Sequence, residues 1–504
     1  MEQLEQKDLI YKVNVLMKEN KELQQQLAKL EKNSNKLTQK IEELEKIVAS
    51  VPPDMLPKEI NIGIGQDQLR FNMVTILYID IHGYHHISEK MNVQKAIDEL
   101  DHIFLNFNTI AKKYKIQIIQ TIGDAFMAAG GVPVKNSTNP IDVVLAAIEM
   151  MQFVKELQRK YIENTQPFWE IRIGINTGAV RATASGKKKL NYDLKGETVN
   201  TAYRMATASE IGKVNISANT YVLVAEYFEC DYIGKQPVKY EGELDMYHVR
   251  CLKTEFTADE TGFSTNKTFQ IKYALRQFAD LQELILDKLE KELPEYLFYH
   301  NYKHTIDVVN QAELIGYGEK VTDEEILLLK TAGLFHDAGH IISYQNHEYY
   351  GCQIAKEILP KYNYTNEQIE KICELIMATE LPPRPKNLLE RIMCDADLDY
   401  LGRIDFIPVS NTLYEELKAQ NKMGSLNDWN KIQVKFLTSH QYFTETANKL
   451  REVNKEKQIE RIKNLITWTN QEELKKFETD LQIIAENSEK RKKEILDQEN
   501  KNKF

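Results

Sequence analysis

The chain has 504 residues, 28% of them charged and 42% hydrophobic, a soluble globular composition long enough for two or three domains. A net charge of −10 without a basic stripe argues against nucleic-acid binding, and no apolar run is long enough to span a membrane. The five cysteines (Cys230, Cys251, Cys352, Cys373, Cys394) form no Cys-x-x-Cys pair and the first residues lack a signal-peptide pattern, so a cytoplasmic location is expected.

Residues 1–50 carry leucines at strict seven-residue spacing (Leu9, Leu16, Leu23, Leu30, Leu37, Leu44), each followed four residues later by Val13, Asn20, Leu27, Ser34, Ile41 or Val48. This heptad predicts a parallel coiled coil, with Asn20 setting a two-stranded register, and therefore a homodimer. Pro52, Pro53 and Pro57 end the helix in a linker at 51–62. From 63 to 250 strands and helices alternate. The apolar runs 74–79 and 118–122 end in Asp80 and, after Gly123, in Asp124. Two strands that bring carboxylates to one end of a sheet make an oxygen-rich pocket for hard divalent cations. Asn200 and Arg204, four residues apart, fall on one helix face and suit the charge of a reacting phosphate.

A polar linker is expected at 251–268, a nearly continuous helical pattern at 269–480, and a charged tail at 481–504. In the helical part His300 and His304 lie one turn apart, His336 and Asp337 close an apolar helix, and Asp395-Ala396-Asp397 follows. Imidazoles mixed with carboxylates suit a hydrolytic metal site.

Four stretches, 78–84, 121–128, 172–178 and 192–205, together resemble a class III nucleotidyl cyclase domain. The resemblance implies that Asp80, Ile81 and Asp124 hold two Mg²⁺ or Mn²⁺ ions. It also implies that Asn200 and Arg204 stabilise the transition state, that Gln120 and Asp193 read the base, and that two chains complete each site. Asp193 accepts from an exocyclic amine, which favours ATP as substrate, whereas Gln120 either donates or accepts and discriminates little, leaving pyrimidines open. Lys239 is the candidate phosphate-contacting lysine, and Lys187, Lys188 and Lys189 read as a solvated hairpin tip.

The helical half resembles the HD superfamily of metal-dependent phosphohydrolases. That resemblance implies a divalent ion (Mn²⁺, Fe²⁺, Zn²⁺ or Mg²⁺) on His304, His336, Asp337 and Asp397, with Asp395 as the alternative last ligand. The His-Asn-x-x-His and His-Asp-x-x-His patterns are also similar to class I cyclic-nucleotide phosphodiesterases, which makes His300 the candidate general acid. His340 reads as a residue that orients the ligands, and His347 is left open.

The expected architecture is multidomain: an N-terminal parallel coiled coil, an α+β (ferredoxin-like) class III cyclase domain and an all-α HD domain. The expected function is a bifunctional enzyme that makes cyclic AMP from ATP and hydrolyses it to the 5′-monophosphate. The rival is a nucleotide-sensing cyclase fold without turnover that gates an HD hydrolase acting on another substrate.

Overall fold

The computed structural model describes residues 68–82, 93–122, 125–163, 168–185, 191–238 and 242–502. The heptad segment 1–50, the linker 51–62, Asp124, Lys187, Lys188, Lys189 and Lys239 lie outside the described residues.

The first domain is one mixed sheet with helices. Its elements are β1 (Gln68–His82), α1 (Val93–Lys113), β2 (Gln117–Ile122), β3 (Ala125–Gly130), α2 (Asn139–Glu163) and β4 (Glu170–Ser185). They continue as β5 (Asn191–Lys195), α3 (Glu197–Ala208), β6 (Val214–Ser217), α4 (Ala218–Val224), β7 (Phe228–Val238) and β8 (Gly242–Leu252). The strand order is β2-β3-β1-β4-β6-β8-β7, with β5 on β4. The first four strands and two helices thus make the βαββαβ unit of a ferredoxin-like fold. Period-two alternation places the β1 side chains on both faces. Leu77, Ile79 and Ile81 meet α1 and α2 residues such as Phe107 and Val144 on one face, and Val74 and Ile76 pack with Val180 and Leu194 on the other. The β1–β3 register sets Asp80 opposite Ala125, so Asp80 stands at the sheet edge where β3 begins.

The second domain is helical: α5 (Lys267–Glu292), α6 (Tyr302–Gly318), α7 (Asp323–Phe335), α8 (His347–Ile358), α9 (Asn366–Met377) and α10 (Leu388–Asp397), then α11 (Phe406–Ala419), α12 (Leu426–Ser439), α13 (Glu445–Lys463) and α14 (Gln471–Asn502). Helix α7 opens on a capping box, Thr322 with Glu325, and is buried on nearly every side from Ile326 to Phe335. A helix apolar all round belongs at the centre of the bundle. Its end therefore delivers His336 and Asp337 to the interior.

Two segments at the domain boundaries make specific contacts. The 251–268 segment is built into the fold rather than a loose linker. Phe256 is 3% exposed, its ring lies 6.1 Å from that of Phe269, and Thr257 bridges to Thr265. Phe256 anchors the polar stretch against Phe269 of the helix that follows. Helix α5 then joins both cores, through Phe269 in the first and Phe278, Leu281, Ile285 and Leu289 in the second. It also grips the start of α2. Asp280 accepts from the Ser137 N–H at 2.9 Å, Arg276 Nε donates to the Ser137 carbonyl at 3.0 Å, and the Tyr273 hydroxyl donates to Asp142 at 2.7 Å. Within the charged segment α14 runs on to Asn502, Leu481 is buried, and Arg491 donates to the Pro383 carbonyl. No helix among the described residues is long and apolar enough to cross a membrane.

Candidate active sites

In the cyclase-like domain, Asp80 meets Arg172 from β4. Arg172 Nε donates to Asp80 Oδ2 at 3.0 Å, its Nη2 reaches the same oxygen, and its Nη1 donates to the Thr207 carbonyl at 3.0 Å. Arg172 lies inside a stretch that carries the cyclase resemblance, yet the sequence reading gave it no role. A guanidinium fixed beside Asp80 suits a site for phosphate charge. The Ile81 side chain is 2% exposed in the core, so this residue can offer an ion only its main-chain carbonyl.

Gln120 on β2 and Asp193 on β5 are both exposed, and the two strands run beside each other. Asp193 pairs with Lys195 at 3.0 Å, both side chains in solvent. On α3, Asn200 is exposed and Arg204 is half-buried, with Nη1 3.0 Å from Glu197 Oε1. The start of that helix is held from beneath: Thr198 Oγ1 donates to the Ala179 carbonyl at 2.6 Å and Asn176 Nδ2 donates to the Thr198 carbonyl at 3.2 Å. The start of α3 is thus fixed, with Asn200 exposed on it.

The helical domain gathers its polar residues inward. His304 Nε2 lies 3.2 Å from Asp397 Oδ1, 3.3 Å from His336 Nε2 and 3.5 Å from Asp337 Oδ2. His336 Nε2 lies 3.2 Å from Asp337 Oδ2 and 3.4 Å from Asp397 Oδ1. Ligand atoms about 2.1 Å from one ion would be about 3.0 to 3.4 Å apart in octahedral or tetrahedral geometry, so His304, His336 and Asp337 have close to the spacing of a donor set, with Asp397 beside both histidines. His336 Nδ1 donates to the Gly333 carbonyl at 2.9 Å, which turns Nε2 toward the cluster. Asp337 Oδ2 and both ring nitrogens of His340 are buried without a hydrogen-bond partner. A cation would satisfy such atoms, and the donor set fits one.

The cluster's electrostatics follow from burial and proximity. Burial disfavours charge on His336, but Asp337 and Asp397 outweigh it and hold the imidazole well above its usual range. Burial also raises Asp337 and Asp397, yet the neighbouring histidines pull both carboxyls below theirs. His340, with burial dominant, is pushed down to about 3.

Asp395 takes no part. It is fully buried and accepts from the Phe443 N–H at 2.9 Å, the Thr444 N–H at 2.8 Å and the Thr444 hydroxyl at 2.7 Å, so it fastens α13 to α10. Asp397, two residues on, is the one that faces the histidines.

His300 stands beside the cluster. Its Nδ1–H donates to Glu416 Oε1 at 2.6 Å, while Glu416 Oε2 accepts the backbone N–H groups of Tyr299 and His300 at 3.0 and 3.1 Å. Glu416 is fully buried on α11. Sequence reasoning missed it, because it lies 116 residues beyond His300 and no local pattern marks it. Burial opposes protonation of His300, but the Glu416 hydrogen bond and Asp337 win, and its proton is held above the ordinary imidazole range. His347, left open by the sequence, stacks on His340 at 4.0 Å with its Nε2 3.4 Å from Asp337 Oδ1. Helix α8 can approach this closely because of Gly339, where a Cβ would lie 1.9 Å from the His347 carbonyl oxygen. A cavity of about 410 Å³, lined in part by His304, Asp397, Tyr299 and Tyr400, opens beside the cluster.

Comparison with known proteins divides the chain the same way. The family model for the adenylate and guanylate cyclase catalytic domain matches residues 67–251, and the model for the HD domain matches 301–399. Human guanylyl cyclase C is 28% identical over 226 residues, 44% of this chain and 20% of the relative. The chain spans about a fifth of the length of the first curated relatives it matches. Among solved structures, the guanylate cyclase domain of RhGC from Catenaria anguillulae in complex with GTP is 28% identical, covers 37% of this chain and 100% of its own, and has a TM-score of 0.33. The adenylyl cyclase CyaB from P. aeruginosa is 28% identical, covers 36% and 95%, and has a TM-score of 0.34. The chain thus contains a class III nucleotide cyclase domain followed by an HD domain.

Proposed function

We propose that the chain is a bifunctional cyclic-nucleotide enzyme: the cyclase domain converts ATP to 3′,5′-cyclic AMP and pyrophosphate, and the HD domain hydrolyses the cyclic nucleotide to the 5′-monophosphate. The observation that carries the reading is the HD cluster, in which Asp337 and Asp397 each lie 3.2 to 3.5 Å from the His304 and His336 nitrogens, beside a histidine held by a buried glutamate.

In the HD domain, His304, His336, Asp337 and Asp397 would hold a divalent cation, which when bound supplies Lewis acidity at the phosphoryl group. With Nδ1–H committed to Glu416, the other nitrogen of His300 presents its proton to the leaving 3′-oxygen. Glu416 fixes the ring and favours its charged form. The adjoining cavity has the volume of a nucleotide pocket.

In the cyclase domain, Asp80, the Ile81 carbonyl and Asp124 would hold two Mg²⁺ or Mn²⁺ ions, which when bound supply charge neutralisation for the triphosphate. Arg172 binds the phosphate oxygens, Arg204 meets the charge growing on the α-phosphate, and Asn200 orients the ribose. Asn200, Gln120 and Asp193 are exposed in one chain, which supports a site completed by a second copy, as a homodimer provides. Asp193 as an acceptor suits the 6-amino group of adenine, where guanine presents a carbonyl oxygen. A GTP reading has its own support, since the first curated relatives are named guanylyl or guanylate cyclases.

The test is to incubate the full chain with each of the four ribonucleoside triphosphates and Mg²⁺ or Mn²⁺, and separately with each 3′,5′-cyclic nucleotide. Cyclic AMP from ATP and AMP from cyclic AMP are expected. Cyclic GMP from GTP alone would move the base assignment, and no cyclic product from any triphosphate would end the reading.

A further inference from the structure

We propose that Cys352 and Cys373 are an oxidisable pair, a modification site at which hydrogen peroxide or a similar peroxide closes a reversible disulfide against the turn that carries His336 and Asp337. Cys352 lies on α8 and Cys373 on the adjacent α9. The Cys352 thiol donates to the Cys373 carbonyl at 3.6 Å, and the Cys373 thiol returns the contact to the Cys352 carbonyl at 3.9 Å. Reciprocal contacts of this kind require the two residues to face each other, the arrangement a disulfide needs. Cys352 is 5% and Cys373 7% exposed, so a bulky thiol reaches neither easily. Cys373 nonetheless borders a surface cleft beside Glu370 and Glu374, which admits a small oxidant.

The two thiols are not equivalent. Cys373 lines the cleft by which a small oxidant enters, and Cys352 does not. Cys373 is therefore the first nucleophile. Its thiolate attacks one peroxide oxygen, the O–O bond breaks, and the departing hydroxide takes a proton to leave as water, giving a sulfenic acid. The Cys352 sulfur then attacks the sulfenic sulfur, the S–O bond breaks, and the Cys352 proton leaves with the hydroxide as a second water. Two thiols lose two electrons and one peroxide gains them.

The bond would act on the cluster because α8 has no slack. Cys352 follows Gly351, where a Cβ would lie 2.5 Å from the Phe335 carbonyl oxygen, one residue before His336. The same helix begins with His347, 3.4 Å from Asp337. Replacing the thiol contacts by an S–S bond of about 2.05 Å draws α8 toward α9, and the surface it slides across is the His336–Asp337 turn.

The test exposes the full-length protein to dilute hydrogen peroxide, alkylates the remaining thiols and maps unreduced peptides by mass spectrometry. The expected result is a peptide joining Cys352 to Cys373, lighter by two hydrogens, lost with dithiothreitol and absent from Cys373→Ser. Full alkylation of both cysteines after treatment, or either one bridged elsewhere, overturns the proposal. The effect on catalysis rests on the phosphohydrolase reading above. Oxidation should lower cyclic-nucleotide hydrolysis several-fold, reversibly, in the native chain and not in Cys352→Ala or Cys373→Ser. A mapped disulfide that leaves hydrolysis unchanged overturns the link to the turn. A reduced protein that hydrolyses no cyclic nucleotide overturns the phosphohydrolase reading instead, and the peptide map still decides the disulfide.

Discussion

In the HD domain the polar side chains of the candidate site are gathered inside the bundle: Asp397 on α10 faces His304 on α6, and Glu416 on α11 holds His300. In the cyclase domain Gln120, Asp193 and Asn200 stand in solvent, and Asp80 meets Arg172. Burying the first cluster requires that charges be matched inside one fold, which Asp337, Asp397 and the histidines accomplish. Leaving the second exposed avoids that cost and, on the proposed reading, leaves its completion to a second copy. A closed site should therefore work at any dilution, and an open one only where copies meet.

The largest expected effect tests the closed site. Replacing His300 by Gln should lower hydrolysis by about 10²- to 10⁴-fold, the range for loss of a general acid, with cyclase activity unchanged. Product assays on each substrate check this, and equal loss of both activities would indicate a folding defect. Glu416→Gln should cost less, about 10- to 100-fold, because it disturbs only the orientation and charge of His300. It should also move the pH profile. The native His300 pKa is raised, so the acid form persists above the ordinary value of 6.5 and is lost as pH rises through the higher one. Without Glu416 the alkaline limb should shift to lower pH; an unshifted limb would remove Glu416 from the mechanism.

The open site invites complementation. Asp80→Ala and Arg204→Ala should each be inactive in cyclisation, and an equal mixture should recover about a quarter of the native rate, because half the dimers would be mixed and each would hold one intact site. No recovery under conditions where subunits exchange would place the site within one chain. Dilution should lower the cyclase rate per molecule and leave hydrolysis unchanged.

A smaller effect concerns the contact between the halves. Burial raises the Asp142 carboxyl from 3.8 to about 6, against hydrogen bonds from Tyr273 and Thr138. The unfolded chain ionises near 3.8, so this group's contribution is fully present below that pH and lost as pH rises toward 6, a cost of about 3 kcal/mol. Urea titrations between pH 4 and 7 should show the decline in the native chain and a flatter profile in Asp142→Asn.

Much of this was legible in the sequence where chemistry and local pattern coincide. An apolar run ending in Asp80 became β1, and an apolar helix ending in His336 and Asp337 became the buried α7. What the sequence hid depends on contacts between distant residues. Glu416 looks like any glutamate on an amphipathic helix until the fold brings it to His300. Asp395 and Asp397 are equally acidic, and only the arrival of Phe443 and Thr444 assigns Asp395 to holding the bundle together. Phe256 and Phe269 were masked by polar neighbours, so a built-in connection read as a linker.

The most direct measurement is a time course of cyclic AMP after ATP is given to the native chain and to Asp337→Ala. The account predicts a low, transient level with AMP as end product in the native chain, and in the variant a cyclic nucleotide that accumulates to a plateau without AMP. Identical time courses with no cyclic AMP hydrolysed by either protein would contradict it.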